Sequence, residues 1–86
     1  MKKFILFYEE GCPQCDFVLR CFKKENVLGN IKAFDITSNE YKAFNVLYNI
    51  KKVPILFIME DDKLLLSKIL NNVSDINWAV NKIFLG

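Results

Sequence analysis

The sequence predicts an α/β fold in a single domain that spans residues 1–86, with the element order βαβαββα. Two wholly apolar runs, at residues 4–8 and 55–59, are typical of central strands that are covered on both faces. Three segments with a 3.6-residue apolar period follow the strands and indicate helices. A βαβ unit makes a right-handed parallel crossover, and the last two strands form a hairpin. We therefore expect a four-stranded mixed sheet in the order 2-1-3-4, with helices on both faces.

The first half of the chain supplies two strands and one helix. The strand at 4–8 leads to a helix that opens at Pro13, because proline at the first helical position loses no hydrogen bond. Gly29 and Asn30 are expected to stop this helix, whose apolar stripe is Cys15, Val18, Leu19 and Phe22. A short segment at 31–36, β-branched at both ends, predicts the second strand.

The second half supplies a helix, a hairpin and a last helix. Thr37 and Glu40 have the spacing of a capping box, and the helix that follows should end near Ile50. Its apolar residues are Tyr41, Phe44, Leu47 and Tyr48. Pro54 precedes the strand at 55–59, residues 60–62 form a turn, and 63–69 returns as an edge strand. Ser74 is expected to cap the last helix, whose stripe is Ile76, Ala79, Val80, Ile83 and Phe84.

The composition excludes several classes of function. The chain has no histidine, which removes serine–histidine hydrolases, cysteine–histidine proteases and histidine-ligated metal sites. The formal net charge is only +2, with both signs interspersed, so nucleic acid is not an expected partner. No apolar run approaches the ~20 residues that span a bilayer, so we expect no membrane partner and a cytoplasmic location.

The chemistry-bearing residues are cysteines, of which Cys12 and Cys15 form a close pair. In a reducing compartment such a pair is more often catalytic or metal-binding than structural. If Cys12 caps the helix that starts at Pro13, the amides of Gln14 and Cys15 can point at its sulfur and stabilise a thiolate. Cys15 lies on the apolar face and should be buried. The pattern predicts an accessible nucleophile with a second, protected thiol within bonding reach.

Other interpretations of these residues stay open from the pattern alone. The pair could be two core thiols, or half of a zinc or iron–sulfur site that a second copy completes. Cys21 is interpreted as a partly buried thiol on the flank of the helix, with a regulatory cysteine as the alternative. Pro54 could simply begin an edge strand, and Lys51 and Lys52 could be solvated.

With these motifs, the chain resembles the thioredoxin and glutaredoxin superfamily over essentially its whole length. Cys12-Pro13-Gln14-Cys15 after the first strand is similar to the glutaredoxin active site, whereas residues 48–58 and the acidic turn are similar to the C-terminal half of thioredoxins. The resemblance implies a thioredoxin fold and a cis bond before Pro54, which would face the two cysteines and pair with substrate through its backbone.

The chain also departs from these families at several positions. Glu9 stands where glutaredoxins usually have a lysine, Asn71 and Asn72 where they have a glycine pair, and Lys52 where they have a threonine. The lysine and the glycine pair serve glutathione, so we expect weak or absent glutathione-dependent activity. Leu6 stands where thioredoxins bury an aspartate. The remaining features resemble small hybrid thioredoxins, including the compact electron donors of ribonucleotide reductase.

The resemblance implies a thiol–disulfide oxidoreductase that reduces protein disulfides, with Cys12 as the nucleophile and Cys15 as the resolving cysteine. The residues expected at the substrate are Pro13, Gln14, Lys52, Val53 and Pro54. The implied partners are protein disulfides, that of ribonucleotide reductase among them, and a reductant that is either a reductase of the thioredoxin-reductase type or glutathione. We expect a monomer with no bound cofactor and no metal. The alternative is a non-enzymatic binding module that uses the cysteine pair to dock a partner or to share a metal or iron–sulfur site.

Overall fold

The elements follow one another in the predicted order. A computed structural model describes residues 1–86 and contains four strands, three α-helices and a short 3-10 helix at Leu28–Asn30. The strands are β1 (Lys2–Tyr8), β2 (Lys32–Asp35), β3 (Ile55–Glu60) and β4 (Lys63–Ile69). The helices are α1 (Pro13–Lys24), α2 (Asn39–Tyr48) and α3 (Val73–Leu85). None of these helices is long and apolar enough to cross a lipid bilayer.

The four strands form one mixed sheet in the order 2-1-3-4, which confirms the predicted topology. β1 pairs in parallel with β2 and antiparallel with β3, and β3 pairs antiparallel with β4. In this register Tyr8 lies beside Asp35, and Ile55 lies between Phe7 and Ile69. The last residues of β1, β2 and β4 and the first residue of β3 therefore meet at one end of the sheet.

The alternation of side chains along the central strands divides the core between the two faces of the sheet. On one face, Phe4 and Leu6 of β1 join a cluster with α1 and α3 that includes Val18, Phe22, Leu56, Ile58, Ile76, Ala79 and Ile83. On the other face, Ile5 and Phe7 join a cluster under α2 that includes Ile55, Phe57, Met59, Tyr41, Phe44 and Tyr48. Strands β1 and β3 are thus covered on both sides, which explains their continuous apolar sequences.

Helix α1 ends earlier than predicted, well before Gly29. Asn26 takes the left-handed conformation with a φ of 61°. The amide of Val27 donates to the Phe22 carbonyl and the amide of Asn26 donates to the Lys23 carbonyl, which together make a Schellman motif. Asparagine tolerates the left-handed region better than most residues, so Asn26 rather than Gly29 ends the helix.

Two helix caps lie close to the residues that were predicted but are not those residues. Ser38, not Thr37, caps α2, and Asn72, not Ser74, caps α3. Each side chain accepts a hydrogen bond from the amide three residues later, at 3.1 Å and 2.9 Å respectively. Several residues that can cap stand close together at both places, and the residue that caps has an extended backbone in each case.

Two residues predicted for the core are exposed. Leu47 of α2 is 72% exposed and Phe84 of α3 is 76% exposed. Each helix is covered by the sheet on one side only, so the outer members of its apolar stripe reach solvent. Helix α2 ends at Tyr48, close to the predicted end near Ile50, and Asn49 follows with a left-handed φ of 52°.

Candidate active site

The connection between β1 and α1 crosses the end of the sheet at which β1, β2 and β3 meet. Gly11 takes a φ of +84° there, a conformation that glycine adopts without steric cost. The amide of Cys12 donates to the carbonyl of Glu9 over 3.2 Å and closes the turn. The connection, referred to below as the Glu9–Cys12 turn, therefore delivers both cysteines of the motif to this end of the sheet.

Cys12 is the N-cap of α1, as the sequence predicted. Its backbone is extended, with a φ of −82° and a ψ of 119°, and Pro13 opens the helix. The amide of Cys15 donates to the Cys12 sulfur over 3.2 Å, whereas the amide of Gln14, also expected there, makes no such bond. Cys12 is partly exposed. A thiolate at this position is stabilised by the Cys15 amide and by the positive end of the helix dipole.

Cys15 lies in the first turn of α1 and has 0% of its surface exposed, as predicted for the apolar face. The amide of Glu9 donates to its sulfur over 3.4 Å. Burial, and after it the hydrogen bond with Cys12, raise the pKa of the Cys15 thiol from 9.0 to about 12, although the Glu9 amide opposes this shift. Cys15 therefore keeps its proton at neutral pH while both thiols are reduced.

The cysteine motif is connected to Pro54 through the backbone of Leu70. The side-chain amide of Gln14 donates to the Leu70 carbonyl over 3.1 Å, and the amide of Leu70 donates to the Pro54 carbonyl over 2.9 Å. The bond between Val53 and Pro54 is cis, as the resemblance implied. Leu70 is fully buried, and nothing in the sequence distinguishes it from the core residues around it.

The residues expected at the substrate differ in exposure. Pro13 and Lys52 are exposed, Gln14 and Val53 are half-buried, and Pro54 is buried. The N–H and C=O of Val53 have no hydrogen-bond partner within the chain. Val53 therefore offers a free stretch of backbone at the same end of the sheet as the cysteine motif.

The positions at which the chain departs from thioredoxins and glutaredoxins are either buried in the core or exposed at the surface. Leu6 is fully buried in the cluster with α1 and α3, and no polar or charged residue is buried anywhere in the chain. Glu9 is exposed, and Asn72 caps α3. No carboxylate therefore lies inside the core where it could accept the proton of Cys15.

The third cysteine lies apart from the motif. Cys21 is half-buried and packs against the cluster with α1 and α3, as predicted for a flank thiol. It borders a shallow cavity of about 420 Å³ that is also lined by Phe17, Arg20 and Lys24. No group of three or more cysteine, aspartate or glutamate side chains is arranged to hold a metal ion.

Asp35, which the sequence analysis did not single out, contacts the Glu9–Cys12 turn. Its Oδ2 accepts a hydrogen bond from the amide of Glu10 over 3.0 Å, and its Oδ1 accepts one from the amide of Thr37 over 2.8 Å. The bond with Thr37 is an Asx-turn, which an aspartate after a strand favours, so the sequence did carry a local signal. The contact with Glu10 depends on the pairing of β1 with β2 and has no local signal.

The arrangement of these strands and helices matches solved structures of thioredoxins. The oxidised thioredoxin of Plasmodium falciparum gives a TM-score of 0.71 at 14% identity, covering 94% of this chain and 79% of that chain. Thioredoxin 1 of Thermosipho africanus TCF52B gives a TM-score of 0.64 at 15% identity, covering 96% of this chain and 93% of that chain. The chain has the thioredoxin fold.

The chain is similar to thioredoxins in its structure but not in its sequence. A thioredoxin of Trichomonas vaginalis gives a TM-score of 0.62 at 21% identity, covering 94% of this chain and 78% of that chain. No family model matches the chain, and no curated protein matches its sequence. Identities of this size establish the thioredoxin fold alone, so the chemistry of this protein has to be derived from its own side chains.

Proposed function

We propose that this thioredoxin-fold protein is a thiol–disulfide oxidoreductase that reduces protein disulfides through Cys12 and Cys15. The observation that carries the proposal is the unequal pair of thiols at the start of α1. Cys12 is partly exposed and its sulfur accepts the Cys15 amide, whereas Cys15 is fully buried. Electron exchange by a dithiol needs this combination of an accessible nucleophile and a protected second thiol within reach.

In the first step the Cys12 thiolate attacks one sulfur of a substrate disulfide. A bond forms between Cys12 Sγ and that sulfur, the bond between the two substrate sulfurs breaks, and the leaving thiolate takes a proton from solvent. The amide of Cys15 supports the attacking thiolate.

In the second step Cys15 attacks the Cys12 sulfur of the mixed disulfide. While Cys12 is reduced, burial holds the proton on Cys15, and the hydrogen bond with Cys12 and the charge of Cys12 add to this effect. The mixed disulfide removes the two effects of Cys12, whereas burial and the Glu9 amide, which favours the Cys15 thiolate, remain. The Cys15 proton passes to the departing substrate thiolate, since no buried carboxylate is present to take it. The substrate leaves as a dithiol with two electrons and two protons gained, and the protein carries a Cys12–Cys15 disulfide.

The substrate backbone is proposed to pair with Val53. A short extended segment can add to unpaired backbone as a strand, and the N–H and C=O of Val53 are both unpaired. Pro13 and Lys52 are exposed and are proposed to contact substrate side chains. Pro54 and Gln14 are both hydrogen-bonded to the backbone of Leu70, and we propose that these bonds hold the substrate surface in position.

The proposed partners follow from this chemistry. The oxidised protein needs a two-electron reductant, for which we propose a reductase of the thioredoxin-reductase type, with glutathione as the alternative. Glu9 and Glu10 are exposed next to Cys12 and would repel glutathione, which is an anion. Their charge therefore supports the reductase over glutathione as the reductant. The disulfide of ribonucleotide reductase is a proposed substrate, and the protein is proposed to act as a monomer in the cytoplasm without a cofactor.

The test is reduction of the insulin disulfides by the protein in the presence of dithiothreitol. The native protein should accelerate precipitation of the insulin B chain above the rate with dithiothreitol alone, and Cys12→Ser should abolish this acceleration. Cys21→Ser is the matched control and should keep it, because Cys21 lies apart from the motif. A native protein no faster than dithiothreitol alone would contradict the proposal and favour a non-enzymatic docking module.

A further inference from the structure

One peptide group lies between Asp35 and Cys12. The peptide that joins Glu9 to Glu10 accepts the Cys12 amide on its carbonyl over 3.2 Å and donates its N–H to Asp35 Oδ2 over 3.0 Å. A peptide group is planar, so fixing its N–H also fixes the direction of its carbonyl. A carboxylate on the N–H additionally polarises the group and strengthens the bond accepted by the carbonyl.

The Asp35 carboxylate is itself held in place. Its other oxygen accepts the Thr37 amide over 2.8 Å, so both oxygens are engaged by backbone. These bonds, first from Thr37 and then from Glu10, hold the pKa of Asp35 below its usual value of 3.8. Asp35 therefore stays ionised, and able to hold the peptide, throughout the neutral range.

The Glu9–Cys12 turn needs such a restraint. Gly11, which separates the held peptide from Cys12, has the φ of +84° that glycine alone adopts readily, and glycine is the most flexible residue in a chain. Glu9 also donates its own amide to the Cys15 sulfur over 3.4 Å. Movement of this turn would disturb the contacts of both cysteines together.

We propose that Asp35 is a positioning residue of the cysteine motif, acting through the Glu9–Glu10 peptide to hold Cys12 where it can attack a substrate disulfide. The effect on turnover rests on the proposed function. The effect on the backbone and on Cys12 reactivity does not, so the two can be tested separately. Asp35→Asn keeps the size of the side chain but replaces one acceptor oxygen with a donor, which cannot accept from both amides.

The first measurement needs no variant. In a nuclear magnetic resonance titration of the native protein, the amide protons of Glu10 and Cys12 should shift together, with a midpoint below 3.8, as Asp35 is protonated. The other carboxyl groups on the Glu9–Cys12 turn and on the first turns of α1 and α2 are those of Glu9, Glu10, Asp16 and Glu40. The remaining ionisable groups on or near the turn and on β2 are Tyr8, Cys12, Cys15 and Lys32. Subtracting the titration of Asp35→Asn isolates the contribution of Asp35. A Cys12 amide that does not follow the Glu10 amide would overturn the proposal.

The second measurement is the reactivity of Cys12 at neutral pH in a Cys21→Ser background. Removing an anion near a thiolate would by itself speed reaction, whereas loss of position slows attack on a bulky disulfide. We expect Asp35→Asn to slow exchange with a protein disulfide by about tenfold, while Asp61→Asn, the same change at the opposite end of the sheet, has no effect. Native exchange rates in Asp35→Asn would overturn the proposal. If the native protein reduced no insulin but Cys12 still reacted more slowly in Asp35→Asn, the positioning role would stand and the proposed function would fail.

Discussion

Burial separates two chemically identical thiols in the cysteine motif. Cys12 and Cys15 are three positions apart, but only Cys15 is buried. Burial, and after it the hydrogen bond with Cys12, raise the pKa of Cys15 to about 12, so within the motif we expect only Cys12 to react in the reduced protein. The unequal roles proposed for the two cysteines follow from this difference in burial.

The first prediction concerns selective alkylation. In a Cys21→Ser background at pH 7.5, iodoacetamide should modify Cys12 and leave Cys15 intact, because only the thiolate reacts and Cys15 is both buried and protonated. Mass mapping of the labelled peptides gives the result. In 6 M urea both cysteines should react, which controls for access. Faster labelling of Cys15 in the native state would reverse the assigned roles.

The second prediction concerns stability at alkaline pH. The Cys15 thiol loses its proton near 9.0 in the unfolded chain but near 12 in the folded protein, so the folded state binds more protons between these values. Its contribution to stability is complete below pH 9 and is lost as pH rises, by up to about 1.4 kcal/mol per unit. Urea unfolding of the reduced protein from pH 8 to 10.5 should show a steeper decline for the native chain than for Cys15→Ala. Parallel curves would contradict the shift.

The third prediction concerns glutathione. The native protein should be slow with a glutathione mixed disulfide, since exposed Glu9 precedes the motif where a cation would attract the tripeptide. Glu9→Lys should raise that rate about twofold to fivefold, the range expected for one exposed ion pair, and the gain should shrink in high salt. Glu25→Lys, at the other end of α1, is the matched control. An efficient native rate that Glu9→Lys left unchanged would refute this explanation.

At the scale of the elements, the ends of helices depend on the chain that enters and leaves them. Asn72 caps α3 because the chain arrives there in an extended conformation, with φ of −149°, although Ser74 is equally able to cap by type. Asn26 and Asn49 end α1 and α2 in left-handed conformations. Residue type identifies the candidates for a cap, and backbone geometry selects among them.

The fourth prediction tests the cap of α3. Asn72→Ala should lower the free energy of unfolding by about 1 kcal/mol, because it leaves the Asp75 amide without its acceptor. Ser74→Ala should change it by less than about 0.5 kcal/mol, since Ser74 is exposed and lies inside the helix. Chemical denaturation of both variants gives the comparison. A larger loss from Ser74→Ala would restore the cap that the sequence pattern indicated.

At the scale of the whole molecule, the 86 residues form an apolar core on each face of the sheet. Phe7 illustrates how closely one of these cores is packed, because its ring contacts those of Phe34, Tyr41, Phe44 and Phe57 at centroid distances of 5.2 to 6.1 Å. A chain of this size buries a smaller fraction of its surface than a larger domain does, so each core residue carries a large share of the stability.

The fifth prediction compares two leucines that the sequence pattern treats alike. Leu56 is 0% exposed at the centre of the sheet, and Leu47 is 72% exposed on α2. Leu56→Ala should lower the free energy of unfolding by about 2 to 5 kcal/mol, and Leu47→Ala by less than about 0.5 kcal/mol. Urea denaturation measures both. Similar losses would mean that Leu47 is covered in solution, for example by a second copy.

The sequence alone determined the order of the elements, the two central strands and the unequal cysteines. These features rest on local patterns: continuous apolar runs, a 3.6-residue period, and a cysteine followed by the proline that opens a helix. Such patterns predict the type and order of the elements even where the predicted bounds are wrong by a few residues. They indicated the fold and the positions of Cys12 and Cys15, and the strand order followed from the parallel crossover and the hairpin.

Only the tertiary structure decided which further residues surround the motif and which predicted core residues reach solvent. Asp35 contacts the Glu10 amide because β1 and β2 end side by side. Leu70 joins Gln14 to Pro54 because β3 and β4 pair with Ile55 opposite Ile69. Leu47 is exposed because the sheet covers α2 on one side only. Each of these outcomes depends on contacts between residues distant in the chain, which local periodicity and residue type do not encode.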